Sequence, residues 1–142
     1  MGVFDEKDVV FRTHELVHFL QATAVELQLN AQKIVALGFS NGANIAGAIL
    51  MLYPDFLAGA VLMRPMQPLS TVQEFKNSKQ TPVFISSGAS DPTVQPGNTK
   101  KYEQLLAANG FHVTHHSIPA GHQLTQRDVV LAVEWFNKYF NN

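Results

Sequence analysis

Apolar positions in this chain recur with two different periods, and the segments that carry each period alternate. Over residues 8 to about 29, Val10, Thr13, Val17, Leu20, Ala24 and Leu27 step by three and four, stacking a mostly apolar stripe on one side of a helix. Such a stripe packs on a sheet; a coiled-coil seam needs three to four heptads, and this segment holds fewer. Residues 33–39 form a short apolar run without alternation, as expected for a strand of a parallel sheet covered on both faces. A helix over residues 41 to about 53 follows almost at once. Gly42, Ala43, Ala46 and Gly47 lie along one side of it, small enough for close approach to the sheet, and Pro54 ends it. Residues 58–63 read as a second strand and residues 82–87 as a third, with a Pro- and Met-rich loop from Arg64 through Ser70 between them. Residues 99–109 are helical up to Gly110, a good C-terminal stop. Residues 111–118 alternate more than the other strands, which places them nearer a sheet edge, and a last helix over about 125–140 stacks Val129, Val133, Phe136 and Phe140.

Strands separated by helices of this length imply crossover connections, because parallel neighbours cannot be joined by tight turns. The fold class is therefore α/β: three layers, with a mostly parallel sheet of about four strands flanked by helices, in one domain over residues 1–142. Composition agrees, since 46% hydrophobic and 15% charged residues are ample for a core and unlike a disordered chain. Ten basic against eleven acidic residues leave no electrostatic footprint for nucleic acid or an anionic membrane. No apolar run approaches the length needed to span a bilayer. The acidic start from Met1 to Glu6 has neither an export pattern nor the Ser or Thr that myristoylation needs at position 6, so the cytoplasm is the expected compartment. Because the chain has no cysteine, a nucleophile must use oxygen or nitrogen.

Gly38-Phe39-Ser40-Asn41-Gly42 fits G-x-S-x-G directly after a buried strand and directly before a helix, where that motif has mechanical meaning. A serine on so sharp a turn sits in strained backbone with its hydroxyl pointing outward, and the flanking glycines leave room for the turn and for helix packing. The next residue, Asn41, opens the helix, where an unpaired N–H and the positive end of the dipole can stabilise an oxyanion. The competing explanation is a chance match in which Ser40 only caps the helix. A serine hydroxyl needs a base, and the base needs an orienting carboxylate. Asp91 follows the third strand and His122 the fourth, so Ser, Asp and His occur in order at three strand ends, where sites in parallel sheets assemble.

Gly38-Phe39-Ser40-Asn41-Gly42-Ala43, Leu62-Met63-Arg64-Pro65-Met66, Gly88-Ala89-Ser90-Asp91-Pro92 with Pro96, and Gly110-Phe111 leading to Gly121-His122-Gln123-Leu124 together resemble the serine-hydrolase branch of the α/β-hydrolase fold. The likeness is to the carboxylesterase, phospholipase and acyl-thioesterase group of small bacterial esterases, and covers nearly the whole chain. It implies Ser40 as nucleophile, His122 as general base and then acid, Asp91 as the orienting carboxylate and the Asn41 backbone N–H as an oxyanion donor. The Arg64-Pro65-Met66 variant looks most like esterases near the hydroquinone- and catechol-linked hydrolases. Members of the group carry about half the sheet ahead of the nucleophile, with a His-Gly loop that donates a second oxyanion N–H. This chain resembles their C-terminal half, with residues 1–6 matching the stretch before the helix that precedes the nucleophile strand. Without its usual neighbour, the strand over residues 33–39 is expected to present an apolar edge through which the chain self-associates.

The expected function is hydrolysis of a small-molecule carboxylic ester through an acyl-enzyme. The alternative is a catalytically impaired or inactive truncated hydrolase that self-associates or binds a partner through its open edge. A dienelactone-type hydrolase fits less well, since those use Cys where Ser40 stands. Met66 and Leu69 are candidates for lining an acyl pocket, with Met51 and Met63 in packing roles. No metal is expected at His112, His115 and His116, because strand neighbours point to opposite faces and no acidic residue nearby completes a set. His14 and His18 lack the H-E-x-x-H glutamate, Ala48 stands where a P-loop needs Lys, and Ser90 reads as a turn residue. Nothing in the sequence calls for a cofactor.

Overall fold

A computed structural model describes residues 5–70 and 74–141; residues 1–4 of the N-terminal stretch considered above lie outside it. Helix α1 (Glu6–Glu26) starts where the Asp5 carboxylate accepts from the Lys7 and Asp8 N–H groups. A single 3₁₀ turn at Ala31–Lys33 leads to β1 (Val35–Phe39) and α2 (Asn41–Leu52). The remaining elements are β2 (Gly59–Met63), β3 (Pro82–Gly88), α3 (Asn98–Ala108), β4 (His112–Ile118) and α4 (Gln126–Phe140). The four strands are parallel in the order β1-β2-β3-β4, so the carboxyl ends on which the candidate residues were placed share one edge.

Strand alternation divides the core. Ala60, Leu62, Val83 and Ile85 face α1, α2 and α3 with Val17, Ala43, Ile49 and Leu106. Val61, Met63, Phe84 and Ile118 face α4 with Leu131, Ala132 and Trp135. Central β2 is buried at all five positions. Connecting β2 to β3, Asn77 is buried and donates to the Pro54 carbonyl and Thr81 hydroxyl, while its side-chain oxygen accepts from the Thr81 N–H.

Four expectations need correction. β1 is the sheet edge, as expected of this strand without its usual neighbour, with no strand pairing on its outer side among the described residues; the expected cover on both faces is not found, since Leu37 is 73% exposed and Phe39 40%. In α4, Val129, Val133 and Phe136 stack as expected but stay 42 to 52% exposed. In α2, Ala43 and Ala46 are buried in the core as expected, but Gly47 abuts Tyr102 of α3 and Gly42 is exposed. The N-terminal stripe holds for Thr13, Val17 and Ala24, whereas Leu27 falls just past the helix end and is exposed. β4, read as nearer an edge, is the opposite edge strand.

Candidate functional site

Ser40 stands between β1 and α2 with φ 56° and ψ −116°, a conformation that costs a non-glycine residue on the order of 1–3 kcal/mol and persists only where its surroundings hold it. Its N–H donates to the Met63 carbonyl at 2.9 Å, and its carbonyl accepts from the Asn44 N–H at 3.0 Å. The turn is so tight that a Cβ on Gly38 would lie 2.4 Å from the Gly42 backbone; the space around Gly42 itself is open. Ser40 occupies the N-cap position, but its side chain makes no capping hydrogen bond. Its Oγ instead lies 2.9 Å from His122 Nε2. Asn41 is the first residue of α2, so its N–H belongs to the turn that has no intrahelical acceptor.

His122 Nδ1 is 2.7 Å from Asp91 Oδ2. Thr93 holds the other carboxylate oxygen, donating from its N–H at 2.9 Å and its hydroxyl at 2.6 Å, with that hydroxyl also 2.9 Å from His122 Nδ1. The Asp91 side chain is 2% exposed. Burial alone would raise its pKa, but the bonds from Thr93 and His122 outweigh burial and hold it below the usual carboxylate value. The loops bearing Asp91 and His122 are sewn together: Ala89 N–H donates to the Ile118 carbonyl and Ser90 N–H to that of Ala120. A Cβ on Gly88 would sit 2.1 Å from the Gly121 carbonyl oxygen, so only glycine allows this approach. Phe39 lies beside the imidazole, ring centroids 5.3 Å apart.

Sequence reasoning missed what holds the histidine loop. The Arg64 side chain, which follows β2 with φ 55°, is fully buried. Its Nε donates to the Gly121 carbonyl and one Nη to the Gln123 carbonyl, each at 3.0 Å, so the guanidinium clasps the backbone on both sides of His122. The other face of the fork meets Asp128 at 2.7 and 2.9 Å, and Ser86 Oγ accepts at 3.2 Å. Asp128 closes a capping box with Thr125 at the start of α4. Burial pushes the Asp128 carboxyl up, but Arg64, Ser86 and Thr125 together hold it far below the ordinary range. Thr125-Gln126-Arg127-Asp128 was readable as a capping box; its pairing with an arginine 64 residues earlier was not.

The proposed acyl-pocket residues are not alike. Met66 is half-buried, its N–H donating to Asn44 Oδ1, while Leu69 is 2% exposed and belongs to the core beside α1, α2 and α3. Leu69 also lines a separate cavity with Gln67, Phe75 and Leu105, which Ser40 does not line. An apolar groove of about 600 Å³ runs instead beneath the Ser40 turn, between β1 and α4, lined by Leu37, Phe39, Met63, Leu124, Val133 and Phe136 among others. His116 packs against Phe84 and His112 meets Tyr139 edge-on, while His115 points to the opposite face. Among the described residues no group of three His, Cys, Asp or Glu could hold a metal, and no helix is long and apolar enough to cross a membrane.

Residues 4–140 match the Phospholipase/Carboxylesterase family. The chain is 39% identical over 137 residues to "Putative hydrolase MhqD" of Bacillus subtilis (strain 168), covering 96% of this chain and 68% of that protein. It is similar in structure to the Bacillus cereus carboxylesterase, with a TM-score of 0.93 and 42% identity over 98% of this chain and 65% of the other. A carboxylesterase from Mesorhizobium loti superposes with a TM-score of 0.86 at 29% identity, over 94% of this chain and 63% of its own. The chain therefore spans about two-thirds of the length of these relatives. With its parallel sheet in α/β-hydrolase arrangement, it belongs to the phospholipase/carboxylesterase family of hydrolases.

Proposed function

We propose that this chain carries the nucleophile, base and orienting carboxylate of a serine hydrolase that cleaves small carboxylic esters through an acyl-enzyme. One observation carries the reading. The Ser40 hydroxyl, strained out of its capping role, meets His122 Nε2 at 2.9 Å while Asp91 takes the opposite ring nitrogen at 2.7 Å. Asp91 holds the imidazole with Nδ1 protonated and Nε2 free to accept. Ser40 Oγ attacks the ester carbonyl carbon as its proton moves to His122. The oxygen that gains charge is met by the Asn41 N–H at the start of α2, and His122 returns the proton to the departing alkoxide. Water, deprotonated by His122, then displaces the acyl group from Ser40. Arg64 takes no part in these transfers; it fixes the loop that carries the base.

The family resemblance implies a second oxyanion donor from a loop ahead of the nucleophile strand, and this chain spans about two-thirds of its relatives' length. Lacking one donor costs about 10²–10³ in rate, so a slow esterase is expected of the chain by itself. The exposed edge of β1, with Leu37 73% in solvent, favours the second reading, in which two copies associate there and activity is impaired. Release of p-nitrophenol from p-nitrophenyl acetate tests both readings. Turnover that Ser40→Ala reduces to the buffer rate supports the esterase. Equal rates for wild type and Ser40→Ala would reject it, and specific activity rising with protein concentration would tie the site to association.

A further inference from the structure

A second serine–histidine–carboxylate series lies behind the Asp91 loop. Ser87, the penultimate residue of β3, has its Oγ 2.7 Å from Nε2 of His115 in β4, and His115 Nδ1 is 2.7 Å from Glu103 Oε2 in α3. The register pairs Ile85 with His115 and Ser87 with Ser117, so Ser87 and His115 project from the same face, the one covered by α3. With Glu103 accepting from Nδ1–H, the Nε2 lone pair is directed at the Ser87 hydroxyl, the same proton arrangement as at Ser40. The side chains of His115 and Glu103 are 13% and 30% exposed, shielded without being sealed.

All three residues open onto a cavity of about 520 Å³. Thr99 and Lys100, in the first turn of α3, also line it, and no side chain caps that helix. The cavity wall therefore carries the start of α3, the positive end of a helix dipole, with Lys100 at its rim, suited to an oxygen that gains negative charge. Neither Ser40 nor His122 lines this cavity, although Asp91 does. A hydrogen-bonded serine, histidine and glutamate that served only to tie α3 to the sheet would not need an open space in front of the hydroxyl.

We propose that Ser87 is a second nucleophile, activated by His115 and Glu103, that is covalently modified by small activated phosphonyl and acyl compounds entering this cavity. With an alkyl fluorophosphonate, Ser87 Oγ forms a bond to phosphorus, the P–F bond breaks and fluoride leaves. The hydroxyl proton passes to His115 Nε2 and from there to solvent, so no further reactant is needed. Ser87 lies in a regular strand rather than on a strained turn at a helix start, so its reaction is slower than that of Ser40.

The test uses the full chain with Ser40→Ala, treated overnight with excess alkyl fluorophosphonate and mapped by peptide mass. The expected result is one phosphonyl group per chain, on Ser87, lost in Ser40→Ala/Ser87→Ala. Labelling should slow by at least about tenfold when His115→Gln or Glu103→Gln is added, the low end of what a positioned base contributes. Circular dichroism of each variant separates lost labelling from lost fold, and the two variants remove the relay from different elements. No adduct on Ser87 in folded Ser40→Ala, or labelling that ignores both substitutions, would overturn the proposal. Labelling of Ser40 in the wild-type chain is read in the same experiment, so failure at Ser40 and failure at Ser87 are told apart.

Discussion

Ser40 and Ser87 are each bonded to a histidine that is bonded in turn to a carboxylate, and the heavy-atom distances barely differ: 2.9 and 2.7 Å at Ser40, 2.7 and 2.7 Å at Ser87. What separates them is the backbone and the support. Ser40 sits at φ 56° immediately before a helix, whose first N–H, that of Asn41, is the proposed oxyanion donor. Ser87 lies in extended strand, and the helix start near it belongs to another segment. Asp91 is 2% exposed and held by two bonds from Thr93, whereas the Glu103 side chain is 30% exposed. The His122 loop is clasped by a buried guanidinium, whereas His115 is fixed by the strand ladder. If the two series differ in reactivity as proposed, strain at the nucleophile and rigidity behind the base, not the hydrogen-bonded triad alone, account for the difference.

Variants that strip these supports sharpen the contrast. Ser40→Ala should give the largest effect, taking p-nitrophenyl acetate turnover down to the buffer rate in a steady-state assay. Arg64→Ala comes next, because it leaves the Asp128 charge buried and unpaired. Thermal or urea unfolding should show a loss of about 3–5 kcal/mol, with turnover falling alongside it. Replacing both partners, Arg64→Met with Asp128→Leu, should recover much of that stability but not turnover, since nothing then grips the carbonyls of Gly121 and Gln123. Thr93→Val removes only a hydroxyl; kcat should drop by about tenfold with KM little changed, while Ser87 labelling stays the same.

Acid should act on Asp91 and Asp128, whose pKa values both lie below the unfolded-chain value. The stability that each contributes is complete above the ordinary carboxylate pKa of about 4 and is lost as pH falls toward its folded value. Unfolding free energy measured against pH should therefore be flat near neutrality and fall below about pH 4, with a shallower fall in Asp128→Asn. The smallest effect on the site itself belongs to the open edge. Leu37→Lys places a charge on exposed β1, and sedimentation should show weaker self-association with little change in stability.

The contrast between the two serines also marks what the sequence could reveal. Ser40, Asp91 and His122 were legible because each follows a strand in a fixed order, so local pattern and topology pointed to the same place. Element types were legible for the same reason: apolar periods of about 3.6, or unbroken short runs, decide helix or strand over a few turns. The open edge of β1 was legible only through the family resemblance, because an apolar run by itself implies burial and says nothing of whether a neighbour exists. The Arg64–Asp128 pair was hidden by sequence separation and by the usual exposure of arginine. Ser87, His115 and Glu103 come from two strands and a helix, and only the parallel register brings them within reach. His115 was weighed as a metal ligand and set aside, correctly placed on the face opposite His116, with no hint of its two partners.

The most direct test of the central claim is to quench the chain during turnover of p-nitrophenyl acetate and locate the acetyl group by peptide mass. The account predicts an acetyl group on Ser40 that is absent from Ser40→Ala. Sustained hydrolysis with no acyl group ever found on Ser40, in a chain that folds normally, would contradict it.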